Sequence, residues 1–234
     1  MRNTHKIFAM VKYLSQNFYT IDELSQVANT DIDTLEKMVE YNLIPRWTYE
    51  INCSISESSI LMGTLSADDD NVKFFHKATT YWLERAKNDL LTNSNDYIKV
   101  SNIVKQGMKQ KFYELFTTNK SICIGYTGLY DECGNIISSE FDDQFNFIYQ
   151  GWCNGTYGIC TKNPCDEKNI FYKAVYQTLL NYLTEQNKKE HYTEDDLNQV
   201  MNAVKQYDEY VSEFTPLSFD LSSRKKYINR FIIL

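Results

Sequence analysis

Apolar positions recur at helical rather than strand spacing along most of the chain. Residues 4–17 form a short amphipathic segment with Phe8, Val11 and Leu14 on one side. Thr20-Ile-Asp-Glu23 has the form of a capping box, in which the Thr20 hydroxyl bonds forward and Glu23 bonds back. It opens a helix with Leu24, Val27 and Ala28 inward. The polar turn Asn29-Thr30-Asp31 leads to a second helix with Leu35, Met38 and Val39 inward. That helix stops at Asn42-Leu43-Ile44-Pro45, because the residue before proline avoids the helical region. Two short helices joined this tightly predict a helix-turn-helix. Over residues 46–62 apolar and polar residues alternate through Trp47, Tyr49, Ile51, Cys53 and Ile55, predicting a short strand or wing.

The remainder reads as helix interrupted once. Asp68-Asp69-Asp70 is expected to cap a helix reaching Asp89, with Phe75, Ala78, Trp82 and Ala86 as its stripe and Phe74, Tyr81 and Leu90 beside it. A further helix is expected from Asp96 to Thr117, burying Val100, Val104, Met108, Phe112 and Leu115. Phe141, Phe145, Ile148, Tyr149 and Trp152 again recur at helical spacing, which favours a helix ending at Asn154-Gly155 over a hairpin there. Asn163 with Pro164 behind it predicts the next helix start, with Ile170, Ala174, Val175, Leu179 and Leu183 buried. Thr193 and Asp196 cap another, with Leu197, Val200, Val204, Tyr207 and Val211 inward. Ser222 or Ser223 opens the last, which ends in Phe231-Ile-Ile-Leu234.

Six of the eight glycines lie between Gly125 and Gly158, marking the segment where the backbone departs from regular helix. Its end, Trp152-Cys-Asn-Gly-Thr-Tyr-Gly-Ile-Cys-Thr-Lys-Asn-Pro164, is the strongest local signal. A glycine-bearing loop that delivers the chain to a helix N-terminus can surround an anion with backbone N–H groups, with Lys162 adding a cation. Against this, Pro164 removes a donor, and Asp166 and Glu167 already place negative charge at the same helix end. Three readings stay open: an anion site, a polar substrate pocket, and a structural connector. Cys160 as a nucleophile needs a basic partner, and His76 is the histidine expected nearest the protein centre.

The net charge of −7 argues against a protein whose main task is gripping phosphates. In residues 1–62 five Lys and Arg face eight Asp and Glu, and the second helix begins with Asp31, Asp33 and Glu36. Such carboxylates suit a helix N-terminus but repel nucleic acid. No apolar run approaches the roughly 18 residues of a membrane span, and the N-terminal apolar stretch is cut by Lys12. A cytoplasmic chain is therefore expected. The six cysteines form no C-x-x-C pair and read as reduced, small hydrophobes rather than a metal site. The outer side of the helix at 96–117 is Lys-rich (Lys99, Lys105, Lys109, Lys111) and reads as a solvated face or a dock for an acidic partner.

Tyr19-Thr20, Glu23-Leu24, Ala28, Leu35 and Leu43-Ile44-Pro45 together resemble the first helix-turn-helix of MerR-type regulators over about 30 residues. Asn42 stands where that family usually has glycine, a place Asn fills because it tolerates the left-handed conformation. On a wider scale, His76-Lys-Ala-Thr-Thr-Tyr-Trp-Leu-Glu-Arg-Ala86, the 152–164 segment and Ser222-Ser-Arg-Lys-Lys-Tyr-Ile-Asn-Arg230 resemble a family of uncharacterised bacterial proteins labelled natural product biosynthesis proteins. The resemblance implies a cytoplasmic protein of a secondary-metabolite or peptide pathway.

The expected fold is mainly α, with a MerR-like helix-turn-helix over residues 1–64 and a larger helical domain over 65–234 carrying the glycine-rich loop. The expected substrate-binding residues are His76, Arg85, Thr156, Tyr157, Cys160 and Lys162, with Arg85 as the group for a carboxylate. No cofactor and no metal are expected. The first functional reading is binding or modification of a small polar metabolite. The alternatives are a ligand-responsive regulator and a non-catalytic adaptor docking a protein partner through the helix-turn-helix or the Lys-rich helix, with nucleic acid and membrane disfavoured as partners.

Overall fold

The computed structural model describes residues 2–51, 72–215 and 219–232. The fold is mainly α with one small sheet. Helix α1 (Arg2–Asn17) leads directly into strand β1 (Phe18–Thr20), α2 (Ile21–Ala28) and α3 (Ile32–Glu40). The Thr20–Glu23 capping box forms as its spacing predicts, with Thr20 N–H donating to Glu23 Oε2 at 2.8 Å and Glu23 N–H to Thr20 Oγ1 at 3.2 Å. Asn29 turns α2 off in the left-handed conformation, and Asp31 accepts from the Thr34 N–H to start α3. Asn42 also sits at φ 55°, the left-handed conformation that Asn tolerates just after α3. Leu24, Leu35 and Met38 are buried as expected, whereas Val27 is 58% exposed and Val11 of α1 is 52% exposed. In α1 it is Met10, not Val11, that joins Leu14 inside.

The sheet is where the helical reading fails. Strand β2 (Tyr49–Ile51) falls where alternation predicts it, and the wing expected beyond Ile51 lies outside the described residues. Strand β3 (Val72–His76) runs antiparallel between β1 and β2. Residues 72–76 were expected in a helix opened by Asp68–Asp70, which lie outside the described residues; the helix there, α4 (Thr79–Thr92), begins later. The physical reason is Phe74-Phe75. Successive strand side chains point to opposite faces, and the sheet has a hydrophobic cluster on each. Phe75 joins Tyr19 and Trp47 in the main core, whereas Phe74 joins Phe18, Tyr49, Met10 and Leu14 in a smaller cluster on the other side. One helix face cannot serve two adjacent aromatics in that way.

Helix α5 (Tyr97–Thr118) buries all five expected positions, and Asp96 caps it. Helix α6 (Ser138–Cys153) does the same with its five aromatic and aliphatic residues, and ends at Asn154-Gly155 rather than turning back as a hairpin. A single turn, α7 (Tyr157–Cys160), follows. Helix α8 (Glu167–Leu183) starts three residues later than the Asn163-Pro164 signal, with Asp166 as its cap. Residues 161–165 are otherwise committed: Thr161 bridges to Val211, Lys162 N–H donates to Tyr210 O, and Pro164 O accepts from Trp82 Nε1. Helix α9 (Glu194–Tyr210) carries a Thr193–Asp196 capping box and packs along α8. Its Leu197 is 40% exposed, contrary to expectation. A π-helical turn at Arg224–Ile228 and the short α10 (Asn229–Ile232) seal the outer end of α9 with Tyr227, Ile228 and Phe231. Cys123 is buried as the cysteine reading expects, but Cys133 is exposed.

Replacing Phe75 by Ala removes a side chain that is 1% exposed, and unfolding in urea is expected to show a loss of about 3–5 kcal/mol. Phe147→Ser at a position 75% exposed is expected to change stability by no more than about 0.5 kcal/mol.

Candidate functional site

The glycine-bearing segment after α6 is built around close backbone approach. Two residues of the segment before β2 bond to it: Arg46 N–H donates to Cys153 O at 3.0 Å and Thr48 Oγ1 to Gly155 O at 3.2 Å, while Thr48 N–H donates to Phe74 O of β3 at 2.8 Å. Gly155 adopts φ +69°, and a Cβ there would lie 2.4 Å from Arg46 O and 2.8 Å from Trp47 O. A Cβ on Gly158 would lie 2.1 Å from Thr48 Oγ1. Both glycines therefore exist to let a second stretch of chain dock.

Beneath this dock the two indoles meet edge to face, Trp82 and Trp152 with centroids 5.2 Å apart. The cavity left between the segments is about 10 Å³ and is lined by Thr48, His76, Thr79, Trp152, Tyr157 and Pro164 among others. That is the room of one water molecule, far below the several hundred Å³ of a metabolite pocket. Trp152 Nε1 is buried here without a hydrogen-bond partner among the described residues.

His76 and Tyr157 are the expected site residues that meet here; Arg85, Thr156, Cys160 and Lys162 do not line the cavity. His76 stands on β3, not on a helix, with its ring edge to face against Phe18 at 5.2 Å. Its Nδ1 accepts from the Ala78 N–H at 3.1 Å, which leaves the proton of the neutral ring on Nε2. Burial, helped by the Lys77 charge, pushes its pKa down to about 4. No hydrogen bond joins it to Cys160, whose sulfur lies 3.6 Å from Thr156 O. Tyr157 is buried, and burial raises its hydroxyl pKa well above the ordinary value. Thr156 and Lys162 are at the surface.

Arg85 is already engaged with a carboxylate of the chain: Nη1 lies 2.8 Å from Glu167 Oε1, and Glu167 is only 7% exposed. With Asp166 capping Asn169 N–H at 2.8 Å, the start of α8 is met by its own acids. On α5, Lys109 pairs with Asp142 at 2.7 Å, Lys111 with Glu114 at 3.5 Å, and Lys105 lies over the Tyr149 ring at 5.1 Å. Among the described residues no three His, Cys, Asp or Glu gather as a metal ion would need, and no helix is long and apolar enough to cross a membrane.

A second hollow, of about 280 Å³, opens between α8, α9 and the end of α5. Tyr172, Tyr176 and Tyr210 meet there with ring planes within 30° of one another: 5.2 Å and 29° for Tyr172–Tyr210, 6.1 Å and 22° for Tyr172–Tyr176, 6.3 Å and 16° for Tyr176–Tyr210. Ser121, Lys168 and Gln206 complete it with groups that make no hydrogen bond or ion pair among the described residues. The sequence signal for this site is Tyr172 and Tyr176 four residues apart on one helix, beside the inward set Ile170, Ala174, Val175, Leu179 and Leu183.

A family model described as a family of unknown function (DUF6058) matches residues 106–233. No curated protein and no solved structure matches the chain. The tyrosine hollow lies wholly inside the matched span, whereas His76, Trp82 and Arg85 precede it.

Gly155→Ala is expected to destabilise the protein by more than about 2 kcal/mol in chemical denaturation, combining a left-handed backbone with a carbonyl clash. Gly158→Ala is expected to be partly rescued by Thr48→Ala, with a coupling of about 1 kcal/mol or more in a double-mutant cycle. For His76, the unfolded chain takes up a proton near pH 6.5 and the folded chain only near pH 4. Lowering the pH through that window therefore favours unfolding, by about 3 kcal/mol in all. Denaturation midpoints followed from pH 7 to pH 4 are expected to flatten in His76→Asn.

Proposed function

The chain belongs to the DUF6058 family, a family of unknown function, and from that premise we propose that it binds a small polar metabolite. The observation that carries the reading is the open hollow between α8 and α9. Its accessible lining is predominantly polar, and Ser121 and Gln206 there make no hydrogen bond among the described residues. The resemblance of the 76–86, 152–164 and 222–230 segments to bacterial natural product biosynthesis proteins supports placing the metabolite in such a pathway and the chain in a cytoplasm.

In this reading the 152–164 segment is the structural connector of the three alternatives, since its cavity holds no more than a water. The α2–α3 pair, though it resembles the MerR-type unit, serves packing: Leu24, Leu35 and Met38 share one hydrophobic cluster with Trp82, Val100 and Phe145. Its second helix is poorly suited to phosphates, with Asp31 spent on the cap and Glu36 paired to Lys73 at 2.8 Å. The Lys-rich face of α5 has most of its charges engaged within the chain and is a solvated face.

Native against denaturing mass spectrometry of freshly purified full-length protein tests the reading. A small molecule retained in the native spectrum and lost on Tyr210→Leu is the expected result. A bare protein mass, together with no thermal shift from any member of a polar-metabolite library, would overturn it.

A further inference from the structure

The small cavity under the Gly155–Gly158 dock brings together more hydrogen-bond donors than the chain supplies with acceptors. Trp152 is 1% exposed, and its Nε1–H is buried without a partner among the described residues. A buried donor in that state bears the full desolvation cost of the group, so folded proteins nearly always pair it with protein or with ordered water. The carbonyls of Gly155 and Pro164 on the cavity wall are already taken. Gly155 O accepts from Thr48 Oγ1 at 3.2 Å and from the Gly158 N–H at 3.1 Å, and Pro164 O accepts from Trp82 Nε1 at 2.6 Å.

Two other side chains on the same wall have bonds to spare. His76 is bonded through Nδ1 alone, which accepts from the Ala78 N–H, so the proton on Nε2 has no acceptor among the described residues. Thr79 is 3% exposed, and its hydroxyl makes no hydrogen bond among the described residues. Three elements thus bring unpaired groups to one cavity: Trp152 from the end of α6, His76 from the end of β3, and Thr79 from the start of α4. Two of these groups can only donate, and the third is a hydroxyl that can give or take.

Size and charge decide what can meet them. A space of about 10 Å³ is the lower limit for a single water molecule. Water accepts two hydrogen bonds and donates two, which matches two N–H groups and one hydroxyl, and a buried water ordinarily makes about three bonds. A halide ion could accept from the same N–H groups, but it is larger than water and needs a charged partner when buried. The neutral His76 ring offers no charge. Arg46, the one cation on the wall, is an exposed residue whose guanidinium carbon lies 4.0 Å from the Trp47 ring centroid.

We infer that the dock contains an integral water site, in which one water molecule accepts from Trp152 Nε1 and His76 Nε2 and donates to Thr79 Oγ1. The water joins α6, β3 and α4 where Gly155 and Gly158 let the chain cross. The inference goes beyond the metabolite reading and is independent of it.

A high-resolution crystal structure of the full chain, grown with bromide in place of chloride, tests this. The expected result is a density peak with no bromide anomalous signal, about 2.7–3.2 Å from Trp152 Nε1 and within the same reach of His76 Nε2 and Thr79 Oγ1. Trp152→Phe keeps an aromatic ring and removes the donor, and the peak is expected to be lost. Thr79→Val preserves side-chain shape and removes the hydroxyl, and the peak is expected to weaken; it keeps the comparison valid where Trp152→Phe fails to fold. A Trp152 Nε1 bonded to a protein carbonyl, or with no peak in reach, would overturn the inference. So would an anomalous bromide peak at the site, or a peak that stays unchanged in the folded variants.

Discussion

Four residues, Pro45 to Thr48, can lie on the end of α6 because Gly155 and Gly158 present no side chain to them. Most of the fold's geometry follows from that dock. It delivers Tyr49 to β2 and so fixes the register of β3, whose carbonyl at Phe74 receives the Thr48 N–H. It sets Trp152 against Trp82, and the Trp82 indole then holds Pro164 through its carbonyl at 2.6 Å. From there the extended residues 161–165 are tied to the end of α9, and only after them does α8 begin. A motif that reads like a ligand loop in one dimension is a crossing point for backbones in three.

Charge is used in the same economical way. Glu167 is nearly buried at the first turn of α8, where the helix dipole favours it, and Arg85 reaches it from α4. Removing Arg85 would leave the nearly buried Glu167 carboxylate without its partner, which costs more than an exposed pair contributes. The terminal basic residues are likewise engaged: Arg224 pairs with Asp208 at 2.7 Å and Lys225 with Asp220. Anion binding at these places would require displacing carboxylates the chain already supplies.

Helices were legible wherever one face is buried and the other is wet. The inward positions of α5 and α6 follow from spacing alone, as do the Thr20 and Thr193 caps, because these are local interactions within one turn. Strand β3 was not legible. Phe75 fits the helical stripe with Ala78, Trp82 and Ala86, and only the second cluster that takes Phe74 breaks the tie. The start of α8 was misplaced for a similar reason: Asn163-Pro164 is a good local signal, overruled by the hydrogen bonds that residues 161–165 make to α4 and α9. Of the expected site residues, His76 and Tyr157 do converge, but around a space the size of a water. Sequence spacing shows which residues approach one another; it does not show how much room remains between them.

The cluster of Tyr172, Tyr176 and Tyr210 was illegible because its third member lies 34 positions from Tyr176 and ends a different helix. Tyrosine has few rotatable bonds, so holding three rings in place sacrifices little side-chain freedom, and Tyr172 is fixed further by Asn119. Helices α8 and α9, which carry the rings, pack along each other and share a core with the C-terminal turn. The dock at Gly155 and Gly158 contributes at a distance: by routing residues 161–165 past Tyr210, where Lys162 N–H donates to its carbonyl, it fixes how α9 ends beside the start of α8.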